Sequence, residues 1–248
     1  MQSDTTDGDG YFDEPVAATY DRDEAAMFAA QAVGPTVDFL AALAGDGRAL
    51  ELGVGTGRIA LPLARRAVLV AGIELSRAMA ARLAAKPGAE AIDVTIGDFA
   101  TAKVEGSFRL AYVVFNTIMN LTTQEAQVAC FQNVAAHLET GGRFVIEVLV
   151  PQIRRLPPGQ GLRDFHVSDR HWGLDQYDVA NQRQTSHRFW FEEGKVRHGA
   201  TPFRYVWPAE LDLMARLAGM TLEERWDGWT RAPFTSDSDQ HVSVWRKD

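Results

Sequence analysis

Residues 49–58 read Ala-Leu-Glu-Leu-Gly-Val-Gly-Thr-Gly-Arg, an apolar strand that runs into glycines at positions 53, 55 and 57 and then into a helix. Glycine accepts positive φ and lets a ligand touch the backbone, and the first turn of the following helix offers unpaired N–H donors. Such a segment places a site for something polar at the carboxyl edge of a strand. A dinucleotide loop, G-x-G-x-x-G/A, needs a small residue at position 58. Arg58 stands there, so a pyrophosphate cradle is the weaker reading.

From Arg48 onward, short apolar runs alternate with helical stretches. Strands are predicted at 49–52, 68–73, 91–96, 110–115 and 143–150, with helices near 58–65, 76–85 and 123–139. In the last helix Thr122 and Glu125 have capping-box spacing, Val128, Phe131, Val134 or Ala135, and Leu138 share a face, and Gly141 supplies the stop. Continuous apolar strands joined by amphipathic helices imply a parallel sheet covered on both faces, because right-handed crossovers put helices on each side. The fold class is therefore α/β, doubly wound, with a mostly parallel seven-stranded sheet and an antiparallel β extension.

The flanks are less regular. Residues 1–13 are polar and acidic and are expected to form a flexible tail able to order over a ligand. Residues 24–44 predict two short helical pieces broken near Gly34-Pro35. After Pro151 the rhythm gives way to period-two segments, Thr185–Phe191 and Lys195–Phe203, joined through Glu193-Gly194, which predict an antiparallel hairpin. Pro208 then opens a helix through Ala218, stopped by Gly219, and strands follow near 221–226 and 241–245. The expected organisation is an acidic tail (1–13), a main unit built from 14–151 with 207–248, and an inserted segment (152–206) that shapes a substrate site. All six tryptophans lie after residue 170, so the aromatic surface is concentrated there.

Two further acids fall at strand ends. Glu74 closes the second strand about 20 residues beyond the glycine loop, where a carboxylate accepts both hydroxyls of an adenosine ribose and disfavours a 2′-phosphate. The third strand ends in Gly97-Asp98-Phe99. Asp98 there is a candidate to accept from the adenine amine, and Phe99 or Met79 to lie against the base. Glu51, Glu74 and Asp98 on one rim describe a nucleoside site with little demand for phosphate.

With these motifs the chain resembles the class I S-adenosylmethionine-dependent methyltransferases over roughly residues 15–150 and the last strands. The resemblance rests on Glu51-Leu-Gly-Val-Gly-Thr-Gly57, Glu74, Gly97-Asp98-Phe99 and Leu138-Glu-Thr-Gly-Gly142. It implies that Gly53, Gly55 and Gly57 receive the methionine end of the cofactor, that Glu74 holds the ribose, that Asp98 meets adenine, and that the last strand inserts antiparallel. Phe115-Asn116-Thr117-Ile118-Met119-Asn120 after the fourth strand looks like the small-metabolite branch, including amino-sugar N-methyltransferases. Tyr20-Asp21 looks like that branch's N-terminal segment, which closes over the cofactor. The implied cofactor is S-adenosylmethionine, with S-adenosylhomocysteine as product. Phe115 is a further cofactor-binding candidate, and Asn116, Asn120 and Trp172 are substrate-binding candidates. The implied reaction is transfer of a methyl group to a nitrogen or oxygen of a small-molecule metabolite by in-line displacement without metal, which in a dry cleft needs alignment above all, and a proton acceptor at the mouth suits a His or a Tyr. His171 and Tyr20 are the catalytic candidates, with His166 and His187 behind them, and no metal site is expected.

Composition narrows the partners. Lys plus Arg number 25 against 33 Asp plus Glu, a net charge of −8, and no basic cluster offers phosphate neutralisation, which argues against nucleic acid. No apolar run approaches the roughly 20 residues of a membrane span, and the acidic N-terminus is unlike a secretory signal. A lone cysteine, Cys130, makes no internal disulfide, so a cytoplasmic protein is expected, a monomer or homodimer acting on a small-molecule acceptor. Two other readings remain open: a non-catalytic protein that binds S-adenosylmethionine or S-adenosylhomocysteine, and an NAD-dependent oxidoreductase, against which Arg58 speaks.

Overall fold

Five apolar strands form the centre of the molecule: β1 (Ala49–Leu52), β2 (Val70–Glu74), β3 (Ile92–Ile96), β4 (Phe108–Val113) and β5 (Leu138–Leu149). They pair in parallel in the order β3-β2-β1-β4-β5 in a computed structural model that describes residues 9–192 and 194–248. β12 (Gln240–Lys247) lies antiparallel against β5, and β10 (Met220–Asp227) antiparallel against β12. The sheet has eight strands where seven were expected, because the two-residue β11 (Ala232–Pro233) folds back onto Trp226 and Asp227 at the edge. Strand order reverses at β1, between β4 and β2, and open α/β sheets bind ligands beside such a reversal at the carboxyl ends.

Both faces of the sheet are covered. Leu50, Leu52, Ile73 and Val113 pack with Phe131 and Val134 of α6 (Gln124–His137) and Leu211 and Met214 of α7 (Pro208–Leu217). The alternate residues Ala49, Val70, Leu110 and Tyr112 pack with Val33, Val37 and Leu40 of α3 (Ala30–Ala44) and Leu61 and Leu63 of α4 (Ala60–Ala64). Among the described residues no helix is long and apolar enough to cross a membrane.

Several boundaries differ from expectation for identifiable reasons. α3 runs unbroken through Pro35, which leaves one carbonyl without its helical donor. A proline inside a helix costs about 3 kcal/mol, and burial of Val33, Val37, Phe39, Leu40 and Ala44 along one face offsets it. α4 begins at Ala60 rather than Arg58, which keeps Pro62 within the first turn, where no N–H is missed. The cap of α6 is Thr123, not Thr122: its hydroxyl accepts from Ala126 N at 3.1 Å, and Ala126 holds the position a capping box would give to Glu or Gln. Gly141 does not stop α6, which ends at His137. It lies within β5, where the register against β4 shifts from Phe108↔Leu138 to Leu110↔Arg143.

The antiparallel segment after Pro151 is larger than one hairpin. β8 (Arg183–Glu192) and β9 (Lys195–Arg204) pair as expected, and β6 (Leu162–Val167) and β7 (His171–Asp178) extend them into a four-stranded antiparallel sheet. At the other end of the chain, residues 1–8 of the expected tail lie outside the described residues. Asp9–Asp13 is docked rather than free, with the Asp9 carboxylate accepting from Arg77 N at 2.8 Å at the start of α5 (Arg77–Ala84). α1 (Glu14–Ala17) and α2 (Tyr20–Asp23) follow it.

Candidate active site

The glycine loop takes its shape from β2. Gly53 N and Val54 N both donate to Ile73 O, at 2.8 and 3.0 Å, and Gly53, Gly55 and Gly57 have φ of +70°, +56° and +83°. Gly57, expected to bind cofactor, is not among the cleft-lining residues and faces the core, where a Cβ would stand 2.4 Å from Leu83 Cδ1. Gly57→Ala is therefore expected to cost about 3 kcal/mol from left-handed strain and overpacking together. At 2–4 °C per kcal/mol for a domain of this size, thermal denaturation should show a fall of about 10 °C.

Glu74 ends β2 with its carboxylate drawn into this loop. Oε2 accepts from Gly55 N at 2.7 Å and Oε1 from Ser76 N at 2.9 Å. Burial raises its pKa, against the pull of the Ser76, Gly55 and Leu75 amides. One backbone donor on each oxygen leaves lone pairs free for further donors. Glu74 lines a cleft of ≈ 520 Å³ together with Gly53, Gly55, Met79 and Phe99. The N-terminal segment adds Tyr11, Phe12 and Tyr20 to the lining, the turn after β4 adds Thr117 and Asn120, and β8 and β9 add Gln184, Thr185 and Phe203.

The three acids expected on one rim separate. Glu51 is not among the cleft-lining residues. It is 3% exposed, its Oε2 accepts from the Tyr112 hydroxyl at 2.9 Å, and burial pushes its pKa up to about 8 against the Tyr112 hydrogen bond and the Arg58 charge. Asp98 lies at the end of β3 with an exposed side chain that accepts from Ala100 N at 2.8 Å. It too is outside the lining, although its neighbour Phe99 is inside.

Tyr20 is brought to the cleft, and the segment carrying it is tied to the glycine loop. Thr56 Oγ1 donates to Asp21 Oδ1 at 2.5 Å, Lys86 Nζ pairs with Asp21 Oδ2 at 2.5 Å and donates to Thr56 O at 2.7 Å, and the Phe12 and Tyr20 rings meet edge-on at 6.2 Å. Burial raises the Tyr20 hydroxyl to about 12, with Glu24 adding to the rise and Arg58 and Arg188 opposing it. At neutral pH it is a phenol.

His171 and Trp172 are not brought to the cleft. They begin β7, whose Gln176 is the register partner of the cleft-lining Thr185. His171 lies five residues further along, about 17 Å at strand rise. It stacks on Trp190 at 5.3 Å beside His166 at 4.9 Å, and burial lowers its pKa. Trp172 donates from its indole to Ser168 O at 3.0 Å and is half exposed. His187 faces His198 at 3.1 Å. None of the six tryptophans lines the cleft.

The turn after β4 is strained. Phe115 and Asn116 are both left-handed, φ +57° and +61°, which costs a non-glycine residue about 1–2 kcal/mol. Asn116, expected to bind substrate, instead accepts from Leu149 N at 2.8 Å through Oδ1, and Phe115, expected to bind cofactor, lies under the Arg58 guanidinium at 4.8 Å. Neither lines the cleft, whereas Thr117 and Asn120 just beyond them do. Glu147 on β5 was not foreseen: its carboxylate accepts from Phe115 N at 2.9 Å and from Trp229 Nε1 at 2.9 Å. The available signal was one acid in the apolar run Phe144-Val-Ile-Glu-Val-Leu149. Among the described residues no group of three or more His, Cys, Asp or Glu could hold a metal ion.

Residues 49–142 match the family described as a methyltransferase domain. The solved CcbJ methyltransferase from Streptomyces caelestis is 36% identical, with 86% of this chain and 94% of that chain covered and a TM-score of 0.79. An amino pentose methyltransferase from Micromonospora echinaspora, CalS10, is 21% identical over 88% of this chain and 91% of its own, TM-score 0.65. A sugar N-methyltransferase from Streptoalloteichus sp, KedS8, is 20% identical over 100% and 98%, TM-score 0.67. None of the curated proteins matches the sequence. The chain belongs to the class I S-adenosylmethionine-dependent methyltransferases. It is an enzyme whose cofactor is S-adenosylmethionine and whose product from it is S-adenosylhomocysteine. The cleft fits that cofactor: an acid with free lone pairs faces it, and the backbone of Gly53 and Gly55 is bare where side chains would otherwise stand.

Proposed function

We propose that the enzyme methylates a nitrogen of a small hydroxylated amine of the amino-sugar kind. The observation that carries this reading is the lining contributed by the turn after β4, the start of α6, and β8 and β9. Thr117, Asn120, Thr122, Thr123, Gln184 and Thr185 supply neutral hydrogen-bonding groups of the sort that match ring hydroxyls. The amino-sugar and sugar N-methyltransferases among the structural neighbours support it.

In this reading Glu74 accepts from the ribose hydroxyls, Gly53 and Gly55 pack against the methionine end, and Met79 and Phe99 flank adenine. Glu51 acts from beneath the loop by fixing β1 against Tyr112. When bound, S-adenosylmethionine would supply a methyl made electrophilic by its sulfonium, so that a C–N bond would form to the acceptor as the C–S bond breaks and the neutral thioether leaves. Tyr20 does not serve as a phenolate base, because its hydroxyl stays protonated to about 12. It orients an acceptor that arrives as the neutral amine, accepting its N–H, and the proton leaves to solvent after transfer.

Calorimetry with S-adenosylhomocysteine, followed by mass spectrometry of a panel of amino sugars incubated with S-adenosylmethionine, tests this. Tight cofactor binding with one methyl added to at least one amine is expected. Transfer to hydroxyls alone would refute the nitrogen assignment, and cofactor binding without transfer to any amino sugar would refute the amino-sugar assignment.

A further inference from the structure

The turn after β4 is held in an unfavourable backbone conformation by groups that do not themselves touch the cleft. β4 ends at Val113, paired with Ile146, and the parallel ladder would ordinarily continue. Instead Phe115 and Asn116 turn left-handed, and the groups freed from the ladder are satisfied by β5. Phe115 N donates to Glu147 Oε2 at 2.9 Å, Asn116 N to Glu147 O at 3.4 Å, and Leu149 N to Asn116 Oδ1 at 2.8 Å. The other carboxylate oxygen, Oε1, accepts from Trp229 Nε1 at 2.9 Å, and that indole packs edge-on against Phe39 of α3 at 5.4 Å. Glu147 is thereby fixed from a third element of the fold. Strained backbone persists only where the surroundings over-determine it, and it concentrates at functional sites.

The consequence lies one residue further on. Thr117 follows the strained pair and lines the cleft, with its Cγ2 close enough to Gly53 that a Cβ on that glycine would stand 2.7 Å away. Asn120, three residues later in the same turn of 3₁₀ helix, also lines it. An extended Phe115–Asn116 would carry both side chains off the glycine loop.

We propose that Glu147 is a positioning residue for the methyltransferase cleft. Its carboxylate uses one oxygen to lock the left-handed turn at Phe115 and the other to anchor itself to Trp229, so that Thr117 and Asn120 stand against the glycine loop when cofactor binds. This rests on the cleft being the cofactor's site. A glutamine at 147 has only one acceptor oxygen for two donors, so it fails for a reason other than lost volume.

The test combines Glu147→Ala, Glu147→Gln, Trp229→Phe and the double variant Trp229→Phe/Glu147→Gln. S-adenosylhomocysteine binding is followed by calorimetry and backbone amide exchange by mass spectrometry, both well below the melting temperature. Glu147→Ala and Glu147→Gln are each expected to weaken binding about tenfold, and Glu147→Ala to speed exchange over residues 113–121 with residues 70–84 unaffected. In the Trp229→Phe background the glutamine oxygen is free for Phe115 N–H, so the double variant is expected to return to within about threefold of Trp229→Phe alone. A role in bulk stability would lower the melting temperature without this rescue. Wild-type affinity and unchanged exchange over 113–121 in folded Glu147→Ala, or no rescue in the double variant, would overturn the proposal. If the wild-type protein itself bound no S-adenosylhomocysteine, the assignment of the cleft would fail, while the exchange measurement would still decide the role of Glu147.

Discussion

Glu74→Gln is expected to weaken S-adenosylhomocysteine binding by about 100-fold or more, the largest effect of any single change at the cleft. The carboxylate already takes one backbone donor on each oxygen, from Gly55 and Ser76, and has lone pairs left for the ribose hydroxyls. A glutamine would turn its NH2 toward one of those two amides, setting donor against donor. Hydrogen bonds to a charged group are worth about 1.5–3 kcal/mol each, and losing the ribose pair together with the charge comes to about 3 kcal/mol or more. Each 1.4 kcal/mol is about tenfold in affinity. Calorimetry against wild type checks this, with circular dichroism to confirm that the variant is folded. An affinity within about fivefold of wild type would show that the ribose is held elsewhere.

Acid stability should be governed in part by His241. This imidazole is fully buried in β12, where Nδ1 lies 2.8 Å from Ser243 Oγ, and burial with the Arg225 charge lowers its pKa from 6.5 to about 3, against the opposing pull of Asp212. Between pH 6.5 and pH 3 the unfolded chain binds a proton at this position and the native protein does not. Stability therefore falls as pH drops through that window, by roughly 5 kcal/mol at its lower end. His241→Asn keeps a side-chain partner for Ser243 without a titrating group. Urea denaturation from pH 7 to pH 3.5 should show a shallower decline in the variant than in wild type. Parallel curves would mean that the native imidazole is protonated in place.

Period and punctuation carried much of this fold. The apolar runs located β1 to β5, although β4 ends at Val113 rather than Phe115 and β5 begins at Leu138 rather than Arg143, and the glycine loop with Glu74 beyond it located the cleft. Both depend on residues within one β-α-β unit, where side-chain direction follows from position along the strand. Glu51 shows where that reasoning stops. It has the same chemistry as Glu74 and also sits at a strand end, but it falls one residue short of the last position of β1, and its side chain meets Tyr112 of β4. The pairing of β1 with β4 closes it off, and nothing within β1 reveals that.

His171 and Trp172 have suitable chemistry in an aromatic segment, but the register of β7 against β8 sets them about five residues from the cleft-lining positions. Helix boundaries moved where a proline or a cap was weighed without its packing, as at Pro35, whose helix survives because its apolar face is buried. The β6 and β7 strands were unannounced, since most of their residues are exposed and give no clean alternation.

The amino-acid sequence by itself determined the strand-loop-helix order, the class of the fold and the acid at the end of β2, because each is written in neighbours a few residues apart. Only the tertiary structure decided which acids reach the cleft, that Tyr20 rather than His171 stands beside it, and that Glu147 bonds a turn 32 residues before it and an indole 82 residues after it. Contacts at that separation are set by strand register and by the packing of one layer on another, and local pattern carries no record of either.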